Sequence, residues 1–162
     1  MPLPLSRQAA AIALAAGCTQ APAIEIGTGD LDFVPLTPGQ EIEVIRGPQG
    51  GYHVLASVRT RGVEPGDPEN LASPDNPEVR FRVTVEGEDI TLTGAYRQGL
   101  DTFEADGGWT HQMVGRLCIL DIPDDDVLAG RSIHFDVRLL DATGLELTDG
   151  RELIAVPHPL NL

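Results

Sequence analysis

Apolar and polar residues alternate with a period of two along most of the chain. In "EIEVI", Ile42 and Val44 fall on one face, with Glu41 and Glu43 opposite. "YHVLASVRT" sets Tyr52, Val54, Ala56 and Val58 against His53, Ser57 and Arg59. "EVRFRVTVE" turns Val79, Phe81, Val83 and Val85 inward and Arg80, Arg82 and Thr84 outward. "DITLTGAYR" repeats the pattern with Ile90, Leu92, Gly94 and Tyr96, and "SIHFDVRLLD" does so with Ile133, Phe135, Val137 and Leu139. Successive strand side chains point to opposite faces, so each run predicts a strand with one buried face. "HQMVGRLCILDI" is apolar on both faces in its second half, which predicts a central strand covered on both sides or an overlap at a sheet edge.

The punctuation agrees with this pattern. "EGED" (86–89) and "DATG" (141–144) read as tight turns, and "DG" at Asp149 and Gly150 predicts a hairpin between "LELT" and "RELIAVP". "GPQGG" (47–51) lies between two strand runs. It lacks the Lys and helix start of a phosphate loop, so it predicts a hairpin tip in which Gly50 or Gly51 takes positive φ. After residue 20 the strongest helical signal is "DDDVLAG", one turn closed by Gly130. Seven to eight short strands with turn-rich joints predict an all-β domain, an antiparallel β-sandwich. It is immunoglobulin-like in architecture only, because the Cys-Trp-Cys arrangement of antibody domains is absent. One connection, residues 60–78, is long and stiffened by Pro65, Pro68, Pro74 and Pro77.

Composition narrows the function classes. The chain has 162 residues, room for one domain with a real core. Eleven basic residues, all Arg, face 25 acidic ones, a formal charge of -14. Nucleic-acid binding relies on cations that displace counterions, so no nucleic-acid partner is expected, and anionic lipid headgroups are poor partner candidates for the same reason. Without Lys there is neither Schiff-base chemistry nor a nucleotide-loop Lys.

The first residues, "MPLPLSRQAAAIALAAGC", combine one cation, Arg7, with a short apolar run and small residues at the end. That order is a secretory signal, and the apolar run is too short for a bilayer-spanning helix. "LAAGC" resembles the lipobox of bacterial lipoproteins, with Ala15 where Leu is usual. The resemblance implies cleavage between Gly17 and Cys18 and lipidation of Cys18. It would place the protein, secreted and lipid-anchored, on the bacterial cell envelope, at the outer membrane or its periplasmic face. The expected organisation is a signal peptide over residues 1–17, a lipidated tether over 18–30 and one β-sandwich over 31–162. Cys118, inside "RLCILDI", reads as a buried apolar thiol.

Candidate chemistry is sparse. A copper-type set of His53, His111 and Met113 has suitable ligand atoms but no signature spacing, so no metal and no cofactor are expected. The acidic loop around Asp67, Glu69, Asn70 and Asp75, and the run of Asp124, Asp125 and Asp126, do not follow a calcium-loop pattern. No G-x-S-x-G ties Ser57, Ser73 or Ser132 to a base. The sequence therefore favours an envelope binding or structural module, for an unidentified protein or small molecule, over an enzyme. A metal-binding lipoprotein and a hydrolase on a sandwich scaffold are the alternatives. Loops at one end of a sandwich are its usual binding surface, which nominates Gln49, Gly50, Gly51, His53 and Trp109 as contacts, with Trp109 equally readable as core.

Overall fold

The structure is a computed structural model that describes residues 20–103 and 106–161. Its strands are β1 (Ala23–Thr28), β2 (Val34–Pro35), β3 (Glu41–Arg46), β4 (Tyr52–Arg61), β5 (Glu78–Val85), β6 (Glu88–Asp89), β7 (Tyr96–Arg97), β8 (Asp101–Thr102), β9 (His111–Leu120), β10 (Ser132–Leu140) and β11 (Glu146–Pro157). Seven of these have six residues or more, and the helical content among the described residues is short 3-10 turns.

One group of strands is built on β4. Its one edge pairs with β1 and then with the end of β3; its other edge pairs with β9, which carries β8. The other group runs β11–β10–β5, with β6 and β7 on the outer edge of β5. The two groups are joined through β3, whose residues Glu41, Ile42, Glu43 and Val44 run parallel to β11 before Ile45 and Arg46 turn to β4. Residues 90–92 link them again: Thr91 bridges Leu120, while the Ile90 N–H reaches the Val83 carbonyl at 3.0 Å. The result is an all-β, sandwich-like fold.

The alternating runs explain why these strands enclose one core. Val54, Ala56 and Val58 of β4 and Cys118 and Leu120 of β9 face Val79, Phe81 and Val83 of β5, Phe135 and Val137 of β10, and Leu153 and Ala155 of β11 in a single buried cluster. Phe81 stands near Phe135 and Tyr96, at centroid distances of 6.3 and 6.4 Å. The expected turns at 47–51, 86–89 and 141–144 are present, and Asp125–Val127 is a 3-10 turn ahead of Gly130 at φ +73°.

Several expectations are corrected. The sandwich is not wholly antiparallel, because β3 and β11 run parallel. The "DG" at 149–150 is no hairpin: β11 is continuous, and Gly150 pairs with Asp136. Gly150 does not have positive φ; its missing side chain leaves room for His134 and Asp136, whose atoms would lie 3.0 and 3.2 Å from a Cβ. Residues 90–95 belong to no strand, and Tyr96 only opens the two-residue β7. Leu92 is 62% exposed, and Thr93 and Tyr96 instead bond the edge of β9 through side-chain oxygens.

Finally, the tether does not extend to residue 30 and the domain does not begin at 31. β1 pairs along β4, Ile26 is fully buried, and the Ile26 N–H donates to the Asp149 carboxylate at 2.9 Å. The long connection is shorter than expected, since β4 runs through Arg61. It is braced by Asn76, which bonds the Asp67 N–H and the Asn70 carbonyl at 2.8 Å each.

Candidate functional site

The chain turns between β3 and β4 with the Gly47 N–H on the Gly51 carbonyl at 2.7 Å and the Gly50 N–H on the Gly47 carbonyl at 2.9 Å. Gly50 holds φ +86°, a conformation that disfavours any side chain. Beyond the tip, His53 pairs with Ile45 on one side and Ile119 on the other, and Leu55 pairs with Leu117. These residues share the outer face of the β4 group. Residues Pro48, Gln49, Gly51, His53, Leu117 and Ile119 line a shallow cavity of about 320 Å³. A neighbouring depression of about 310 Å³ is mixed in character, lined by Leu55, Ile45, Ile42 and Val156 together with Thr28, Glu41 and Glu43. Burial pulls the His53 pKa below the ordinary histidine value, so its imidazole is neutral near pH 7.

Leu117 and Ile119 are 42% and 39% exposed, so the second half of β9 is not covered on both sides as its composition suggested. A β-bulge is the cause. Ala56 pairs with Arg116 and Val58 with Met113, so three steps along β9 match two along β4. Gly115 sits in the bulge at φ +68°, where a side chain would strike the Asp30 carbonyl. Strict alternation from buried Met113 would send Leu117 and Ile119 inward. The extra residue inverts the phase and buries Cys118 and Leu120 instead. Leu117 and Ile119 are thus site residues that alternation alone misses; the signal that marks them is a Gly inside a strand run.

The nominated contacts divide between the two ends of the molecule. Gln49, Gly51 and His53 meet at the cavity, and Gly50 lines an adjoining one with Arg46 and Leu160. Trp109 is neither there nor in the core. It is half-buried at the far end of β4, its ring 4.8 Å from the Arg59 guanidinium and 5.0 Å from that of Arg61. His53, His111 and Met113 do not come together as a metal set. His111 pairs with Thr60, seven residues along β4 from His53, which is about 23 Å at ~3.3 Å per residue, and Met113 is buried opposite Val58.

The acidic groups have structural tasks. Asp124, Asp125 and Asp126 cluster within 4.8 Å, where Asp124 accepts from the Asp126 N–H at 2.8 Å and caps the 3-10 turn. Asp67 accepts from the Glu69 N–H within its own loop at 3.0 Å. On the other group of strands, Ser132 donates to Glu152 at 3.3 Å and Glu152 pairs with His134 at 2.8 Å. The carboxylate stands between hydroxyl and imidazole, which is not the nucleophile–base contact that a hydrolase of the serine type uses. The Cys118 thiol is pushed up to about 12, first by burial, and is no thiolate near neutral pH.

No family model matches the chain, and no curated protein and no solved structure matches it. Among the described residues no helix is long and apolar enough to cross a membrane. Cys18 and the signal sequence lie outside the described residues.

Proposed function

We propose that this chain is a bacterial envelope lipoprotein, anchored through Cys18, whose β-sandwich binds a partner at the cavity beside the 47–51 tip. The lipobox-like "LAAGC" and the secretory signal before it support the anchor. The strand groups β1/β3–β4–β9–β8 and β3–β11–β10–β5 support the immunoglobulin-like reading of the sandwich. The observation that carries the binding role is the exposed pair Leu117 and Ile119 beside half-buried, neutral His53. Apolar surface held open to water next to a few polar groups is what a ligand gains by covering, at about 25 cal/mol per Å². The partner that fits is a small apolar group, free or as a protein side chain, with one polar atom for the His53 imidazole or the Gln49 amide.

Two measurements test this. Intact mass of the chain extracted from a bacterial envelope is expected to show an acylated Cys18 at the new terminus; a free Cys18 thiol there rejects the anchor. A fragment screen followed by amide shifts is expected to give hits that move His53, Leu117 and Ile119 and vanish in Leu117→Ser. Hits that all map elsewhere reject the site.

A further inference from the structure

The chain enters the domain at the end of β4 farthest from the cavity. Ala23 pairs with Arg61, and the residues before it are held against the same end. Arg61 Nε donates to the Ala21 carbonyl at 3.1 Å and Nη1 to the Gly107 carbonyl at 3.3 Å. The Pro22 Cα lies 3.0 Å from where a Gly62 Cβ would be, and the Gln20 amide covers Gly108. Only Thr19 separates Gln20 from Cys18, so Cys18 can lie no farther than about 7 Å from Gln20. Beside this entry stands Trp109, with the Arg59 and Arg61 guanidiniums 4.8 and 5.0 Å from its ring centre.

From this placement, and resting on the lipoprotein reading, we infer that the anchor seats the domain with its Trp109–Arg61 end on the bilayer, where Trp109 and Arg61 contact the lipid headgroup layer. An anchor so short leaves no slack for the domain to turn over. An indole with one polar N–H and a guanidinium are groups that settle at headgroup depth, the one by its amphipathic ring and the other by bonding phosphate, here through the Arg61 donors that the Ala21 and Gly107 carbonyls leave over. β4 then stands away from the membrane. Its nine residue steps carry the 47–51 tip and its cavity about 30 Å outward at ~3.3 Å per residue, open to a partner in the surrounding compartment.

Trp109 is the single Trp of the chain and reports on this end directly. The envelope-extracted protein is placed in vesicles of zwitterionic phosphatidylethanolamine and phosphatidylcholine; if its mass shows no acyl group, Cys18 is coupled instead to a maleimide phospholipid. Failure of the lipoprotein reading is thus seen in the mass, and the orientation is still measured. Trp109 emission is expected to shift to the blue, be quenched by headgroup-labelled lipids, and lose acrylamide quenching about threefold relative to unanchored Cys18→Ser. A dye on Gln49→Cys, with Cys18 lipid-blocked and Cys118 buried, is expected to show no lipid quenching. Unchanged Trp109 quenching on anchoring, or lipid quenching of the dye at position 49, would overturn the orientation. Arg61→Gln serves as the second variant. It is expected to weaken the Trp109 response, and wild-type quenching in a folded Arg61→Gln chain would remove Arg61 from the contact.

Discussion

The Gly115 N–H donates to the Ser57 hydroxyl oxygen at 3.1 Å, inside the bulge that decides which face of β9 meets the core. Ser57 passes the bond on, donating to the Gly29 carbonyl at 3.2 Å, and is itself fully buried. Ser57→Ala leaves a buried donor and acceptor without their partner, so it is expected to lower stability by about 1–3 kcal/mol in urea unfolding. Gly115→Ala adds strain at positive φ and a clash with the Asp30 carbonyl, and is expected to cost more than about 2 kcal/mol. Losses below about 0.5 kcal/mol in both variants would show that the bulge is not held this way.

Strand identity was legible because alternation with one buried face is a local property, and Val79 to Val85 and Ile133 to Leu139 obey it without interruption. What alternation cannot carry is a phase change, and the exposed pair Leu117 and Ile119 exists because Gly115 supplies one. "DG" at 149–150 misled for a related reason. A Gly demanded by the close approach of His134 and Asp136 looks, in sequence, like a Gly demanded by positive φ. The Gly-rich tip with His53 was legible as a place, but its apolar wall comes from β9, more than sixty residues away, through pairings no local pattern encodes. The early strand β1 hid in a Pro-containing stretch because its partner, the far half of β4, also lies outside any local window.

Asp141 ties the 141–144 turn to the start of the long loop. Its carboxylate accepts from the Glu64 N–H at 2.9 Å, the Thr143 hydroxyl at 2.6 Å and the Thr143 and Leu145 N–H groups at 2.9 and 3.0 Å. Burial alone would raise its pKa, but these donors together hold it below the ordinary value of 3.8. The stability from a depressed carboxyl is present above the unfolded pKa and lost as pH falls through the folded one. Asp141→Asn is therefore expected to cost about 1.5–3 kcal/mol near neutral pH, a gap that closes below about pH 4. Unfolding curves of both proteins between neutral pH and pH 3 check this, and a gap that stays constant throughout would contradict it.

Cys118 is fully buried on the inner face of β9, and its thiol is pushed up to about 12, chiefly by burial. Thiol reagents need the thiolate. With Cys18 replaced by Ser, the remaining thiol is expected to ignore a disulfide reagent at mildly alkaline pH and to react at once in guanidinium chloride. Rapid reaction of the folded protein would mean that β9 opens locally far more readily than its pairing along β4 implies.

The 47–51 tip separates two glycines that look alike in sequence. Gly50 has φ +86°, Gly51 does not have positive φ, and a Cβ on either would meet nothing within 4 Å. Steric contact is therefore the same at both positions, and any difference between the two substitutions reports backbone conformation alone. Gly50→Ala is expected to cost on the order of 1–2 kcal/mol, the strain of a left-handed residue with a side chain. Gly51→Ala is expected to be neutral or to stabilise by up to about 1 kcal/mol, since it restricts only the unfolded chain. Gln49 is exposed at the tip, so Gln49→Ala is expected to leave stability unchanged within about 0.5 kcal/mol while weakening any fragment that bonds its amide. Thermal unfolding of the three variants decides the matter. Equal losses at positions 50 and 51 would place the turn's special conformation elsewhere, and a large loss for Gln49→Ala would make that side chain part of the fold and not of the site.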